Sequence, residues 1–286
     1  MTDKLDHCHA LVRTADRDRY LSALFAPSPA REGLLALYSF NAEIARVREV
    51  VSDPLPGEIR LQWWRDALSR NDHGDVDQHP IAAAIRATIT SFRLPLAAFD
   101  NLIEARVFDL YDDPMPSLSE LEGYCGDTSS ALIQLSAIIL AKGDNPGTAD
   151  VAGHAGVAYA LVGLMRALPW HAARRQLYLP QDLLERHNVD PETIFSGRTT
   201  PQLRAALAEL QEHARHHLAK TRTLIEAVPR HCIPAFLPIC LVEPYLDALA
   251  KPDRDPLRQH CDLSLLRRHW ILWRSWKKAC IACSLS

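Results

Sequence analysis

Residues 32–46 read EGLLALYSFNAEIAR, and the apolar positions Leu34, Leu35, Leu37, Tyr38, Ile44 and Ala45 recur mainly at spacings of three and four. Such spacing collects side chains into one stripe of a 3.6-residue period, so it predicts a helix from Glu32 to Arg46. Downstream, Pro54, Pro56 and Gly57 punctuate the chain. Ile59, Leu61, Trp63, Trp64, Ala67 and Leu68 then resume helical spacing up to the polar run NDHGD at 71–75.

The same reading places further helices near His79 to Phe92, Pro95 to Asp112, Ser117 to Ala141, Thr148 to Leu168, Pro201 to Val228, Ile233 to Ala250 and Leu263 to Cys280. Ser117 suits a helix cap, with Glu120 placed to answer it, and Pro201 suits a first helical turn. No segment alternates apolar and polar residues between hairpin turns, and no internal period marks a solenoid. The expected fold is all-α: one helical bundle over residues 1–286, in which 263–286 form a basic, tryptophan-rich C-terminal segment.

With 48% hydrophobic residues, 23% charged and only 11 glycines in 286, the chain falls outside the disordered and low-complexity classes. Its 32 basic against 35 acidic residues leave a formal charge of -3, which provides no global field for nucleic acid. The apolar stretches Ala131 to Ala141 and Ile233 to Val242 are interrupted or roughly half the ~20 residues of a membrane span, so none is expected. An acidic, polar N-terminus argues against a secretory signal and for the cytoplasm. Seven cysteines, mostly within apolar helical patterns, imply reduced thiols; Cys280 and Cys283 form one CxxC without a second ligand pair.

Four strings carry more: ALYSFNAEIARVREVVSD from Ala36, HPIAAAI from His79, YCGDTSSAL from Tyr124 and GLMRALPWHAARRQLYLP from Gly163. In this order they resemble the squalene and phytoene synthase family, over about Arg17 to Leu249. The resemblance implies the all-helical isoprenoid synthase fold. In active members the first string reads like ALYAFCRxxDDxxD and the last like NxLRDxxEDxxxGRxYLP. Carboxylates four apart share a helical face, so two such pairs facing across a cavity can hold magnesium against a prenyl diphosphate. The metal then neutralises the departing diphosphate.

Matched to that pattern, Ala45 stands at the leading aspartate, Arg46 follows it, and Glu49 stands at the second. In the last string Ala167 and His171 fall at the two aspartates, Gly163 at the asparagine and Gln176 at the basic residue, while Arg166 is retained. No metal site is expected from these positions. Tyr38, Tyr124 and Tyr178 match aromatic positions, so some cavity lining is expected to persist. Arg46, Arg48 and Arg166, with Tyr38 and Tyr124, are candidate contacts for a phosphate or lipid head group; the plainer alternative pairs these arginines with Glu43 and Glu49. The AEIARVRE core, PGEIRLQWWRDAL and WILWRSW resemble a divergent branch, that of mitochondrial complex I assembly factor 6 and its bacterial relatives.

Other candidates have plain structural explanations. Trp63 and Trp64 suit core and edge packing, Glu58 and Asp66 are either replacement carboxylates or a solvated face, and His213, His216 and His217 suit an exposed helix better than a metal. Asp109, Asp112 and Asp113 suit a loop or cap before Pro114. In RRHWILWRSWKKACIAC, Trp270, Trp273 and Trp276 stand among Arg267, Arg268, Arg274, Lys277 and Lys278. This segment either docks on the bundle or rests peripherally on an anionic membrane.

Together these readings lead to a synthase-like protein that has lost magnesium-dependent prenyl transfer. Its expected role is a scaffold or lipid-binding factor. The branch it resembles implies respiratory complex I subunits or assembly proteins as partners, with prenyl lipid or an anionic membrane surface as further candidates. The alternative is an active head-to-head prenyltransferase using Glu49, unrecognised carboxylates and magnesium.

Overall fold

The computed structural model describes residues 2–69 and 76–282, and among them there are helices and turns but no strand. The longer helices of the N-terminal half are α1 (Thr2–Ala15), α2 (Arg17–Ala23), α3 (Ser28–Ala45), α4 (Pro54–Leu68), α5 (Pro80–Phe92) and α6 (Leu96–Ala105). Those that follow are α7 (Leu118–Cys125), α8 (Ala131–Leu140), α9 (Ala149–Ala173), α10 (Pro201–Leu224), α11 (Val242–Leu249) and α12 (Leu265–Ala282).

Their apolar faces meet in one contiguous core. α3 lies within it: every residue from Gly33 to Phe40 is buried, so the stripe read from sequence is part of a helix enclosed on all sides. α9 runs along α10 and also packs on a five-residue π-helix, Gly126–Ser130, that joins α7 to α8. Here Gly156 is required, because a Cβ at that position would collide with the Ser130 backbone. Ser130 Oγ donates to the Gly153 carbonyl at 2.8 Å across the same crossing.

The expected cap at Ser117 forms, and Pro201 stands in a first helical turn as expected. Ser117 Oγ accepts from the Glu120 amide at 3.2 Å, and Thr200 does the same for Leu203 at 3.1 Å ahead of Pro201. Other boundaries move for identifiable reasons. The expected Ser117 to Ala141 helix is divided by the π-helix. The expected Ile233 to Ala250 helix breaks into short turns before α11, since Pro234 and Pro238 remove amide donors. Conversely α9 runs past Pro169 to Ala173, because one missing amide is outweighed by the packing around it. α1 and α2, and the short helices Gln181–Arg186 and Pro191–Phe195, lie outside the expected segments.

Two stretches, Ala149–Ala173 and Arg230–Leu249, are long and apolar enough to cross a bilayer by length and composition. Both are packed into the bundle, with 56% and 67% of the most apolar windows buried.

One side of α12 docks on the bundle and another side faces outward. Arg268 and Leu272 are buried, and Trp276 packs at a tilt against Phe25 with ring centroids 5.6 Å apart. Leu266, Trp270 and Trp273 face outward at 83%, 55% and 53% exposure. A helix turns about 100° per residue, so the tryptophans at intervals of three fan around it instead of forming one stripe.

Candidate functional site

α3 ends at Ala45, and a one-turn helix, Val47–Val50, carries Glu49 onward. Glu49 borders an open cavity of about 660 Å³ whose other walls include Gly163, Arg166, Ala167 and His171. The four α9 residues share a helical face because they recur at spacings near three and four. The structure therefore brings Glu49 of the first string and the α9 positions of the last to one cavity. Arg46 goes elsewhere, into a smaller hollow of about 250 Å³ with Glu43, Trp63 and His79.

Little of this cavity can hold magnesium. Ala45 and Ala167 carry no donor atom, Arg46 is a cation, and Glu49 is the one carboxylate among the matched positions. His171 offers nitrogen where a hard cation takes oxygen. Asp262 also lines the cavity but is engaged by Arg166 at 3.1 Å and by Arg268. The residues present do not fit the ion.

The arginines are paired, although only one as the sequence suggested. Arg46 meets Glu43 at 3.1 Å, whereas Arg48 meets Asp112 at 3.2 Å. Arg166 donates from Nε to the Cys261 carbonyl at 3.0 Å, and its guanidinium lies 3.7 Å from the centre of the Tyr245 ring. Asp18 stands 3.8 Å from its Nη1. This guanidinium is held on several sides, which leaves it poorly placed to turn toward a phosphate.

His171 is a neutral imidazole. Burial, with Arg174 adding to it, pushes its pKa down to about 4, and its ring packs 4.7 Å from that of Tyr178. A base whose folded pKa lies below its unfolded value contributes stability above about pH 6.5 that is lost as pH falls toward 4. The full shift is worth at most about 3 kcal/mol. We expect His171→Phe to flatten the fall in urea-unfolding free energy between pH 7 and pH 5; equal slopes in variant and parent would contradict this.

Beyond Tyr178 lies a buried polar cluster that the sequence reading missed. Asp109, only 6% exposed, accepts from Tyr178 Oη at 2.7 Å, from Tyr124 Oη at 2.9 Å and from Arg106 Nη1 at 3.1 Å. Arg106 Nη1 also donates to Tyr124 Oη at 2.6 Å, and Gln176 Nε2 to the Asp109 carbonyl at 3.3 Å. Burial raises the pKa of both tyrosines, which stay protonated and donate. Asp109 is thus a hub on the short Phe108–Leu110 turn, in place of the loop or cap role expected. The i, i+3 spacing of Arg106 and Asp109 was the available signal.

Tyr38 is interior, 3% exposed, and accepts from Ser136 Oγ at 3.0 Å. The buried Arg19 guanidinium lies over the rings of Tyr38 and Tyr159 at 5.9 and 4.7 Å. Tyr38 is thus interior, Tyr124 and Tyr178 are partly buried, and all three are hydrogen-bonded rings that do not line the large cavity. Trp64 is buried and Trp63 38% exposed, the expected core and edge. Glu58 accepts from Tyr111 and Asp66 from Gln62, and neither lines the large cavity. Cys8, Cys125, Cys232, Cys240 and Cys261 are free thiols; the Cys280 side chain and Cys283 lie outside the described residues.

A family model described as squalene/phytoene synthase matches residues 12–274. Mouse NADH dehydrogenase (ubiquinone) complex I, assembly factor 6 is 29% identical over 95% of this chain and 82% of its own length. Presqualene diphosphate synthase of Sinorhizobium fredii is 26% identical over 76% of this chain and 77% of that protein. A crystal structure of a dehydrosqualene synthase superposes with a TM-score of 0.81 at 16% identity, covering 97% of this chain and 98% of the other.

Proposed function

We propose, from the premise that this chain belongs to the squalene/phytoene synthase family, that it is a noncatalytic member acting as a scaffold or lipid-binding factor in respiratory complex I assembly. The observation that carries this reading is the composition of the cavity. Glu49 of the first string and the α9 positions of the last border one space, yet the matched positions supply only Glu49 as a carboxylate. Diphosphate departure needs concentrated positive charge held by several oxygen ligands, and one exposed glutamate cannot supply two facing clusters.

Its resemblance in sequence to complex I assembly factor 6 supports the assembly role. The outward face of α12 supports a place at an anionic membrane surface. There Leu266, Trp270 and Trp273 stand beside Arg274 and Lys277, whose charges lie over the Trp270 and Trp273 rings.

Purified chain incubated with magnesium and farnesyl or geranylgeranyl diphosphate is expected to release no pyrophosphate and form no hydrocarbon above the metal-free control. In cells lacking the chain, Glu49→Ala is expected to restore assembled complex I as well as the parent does. Metal-dependent turnover that Glu49→Ala abolishes would overturn the reading in favour of an active prenyltransferase.

A further inference from the structure

Three helices converge on a histidine cluster away from that cavity. α10 carries His213 and His217 one turn apart, α7 supplies Glu122 and α9 supplies His154. The charged neighbours of these histidines suggested an exposed face, but His217 is 8% exposed and His213 half-buried. Glu122 Oε1 is hydrogen-bonded to His217 Nε2 at 3.0 Å and also to His213 Nε2. On its other side the His217 ring presents Nδ1 to His154 Nδ1 at 3.0 Å.

We propose that Glu122, His213 and His217 form a binding site for a divalent transition metal of the zinc class. One ligand atom from each lies within 4.8 Å of the others. A tetrahedral ion with bonds of about 2.0–2.1 Å spaces its ligand atoms roughly 3.3 Å apart, so small side-chain adjustments open the cluster around it. Two imidazoles and one carboxylate suit a borderline ion and not magnesium.

The surroundings match such a site in two further respects. With Nε2 on the metal, His217 keeps its proton on Nδ1 and donates it to His154, a contact that fixes ring orientation and tautomer. His213 also borders a cavity of about 350 Å³ with Leu118, Glu209 and His216, so the ligand set is open to the surface on the His213 side.

The test is a titration of the tag-free full chain with cobalt(II), followed by visible absorption, and with zinc by calorimetry. One ion per chain is expected, with the ligand-field bands of a four- or five-coordinate centre and no thiolate charge-transfer band. His213→Asn and Glu122→Gln are each expected to weaken binding by about a hundredfold or more, and His154→Leu by about tenfold, with melting curves near the parent's. His216→Asn should leave affinity unchanged. No binding of either ion at micromolar concentration, or binding that survives both ligand substitutions, would overturn the assignment. A thiolate band would do the same by placing the ion on cysteine.

Discussion

Asp109→Ala is expected to cost about 3–5 kcal/mol of unfolding free energy, because it leaves the Arg106 guanidinium buried without its carboxylate. The side chains of Arg106 and Asp109 are 14% and 8% exposed, so water does little to replace the lost partner. Two tyrosine hydroxyls lose their acceptor in the same step, and Arg106 Nε already has no hydrogen-bond partner among the described residues. The double variant Arg106→Met, Asp109→Leu should recover a large part of the loss, since it removes both charges together. Urea denaturation of the parent, both single variants and the pair measures this. A loss below about 1 kcal/mol for Asp109→Ala would show that the cluster contributes little.

Arg268→Ala should act on a second buried charge cluster and cost about 3 kcal/mol. Arg268 Nε lies 2.9 Å from Asp18, donates to Tyr245 Oη at 3.1 Å, and is 4% exposed in its side chain. Tyr245 Oη itself donates to Asp18 at 2.9 Å. Without Arg268, Asp18 keeps Tyr245 and the more distant Arg166, so the loss stops short of the full cost of an unpaired buried charge. Loosening should concentrate in α12, read as faster amide exchange over Leu265–Ala282 with the core still protected. Uniform exchange across parent and variant would count against this anchoring.

The same anchoring bears on a cut before Leu263. Such a cut removes Arg268 and the fully buried Leu272, so it destabilises the bundle whatever α12 does at a membrane. Trp270→Ala with Trp273→Ala separates the two roles, because both side chains are more than half exposed. This pair should leave the melting temperature near the parent's and reduce flotation with anionic vesicles. Unchanged flotation would leave α12 as a packing element alone.

The all-helical class, the position of α3, the cap at Ser117 and the first-turn place of Pro201 could be read from the sequence, because hydrophobic period and capping act over a few residues. The motif strings likewise carried the family, and the residues at 45, 167 and 171 are visibly not carboxylates. Which side chains meet was not local information. Glu49 and the α9 face lie more than a hundred residues apart in the chain, and only packing brings them to one cavity while sending Arg46 to another. Burial decided the rest. It made a hub of Asp109, set Arg268 against Asp18, and gathered Glu122 from one helix with His213 and His217 from a second and His154 from a third. A buried charge or imidazole takes its partners from wherever the tertiary structure supplies them, whereas sequence spacing reports only neighbours on the same helix.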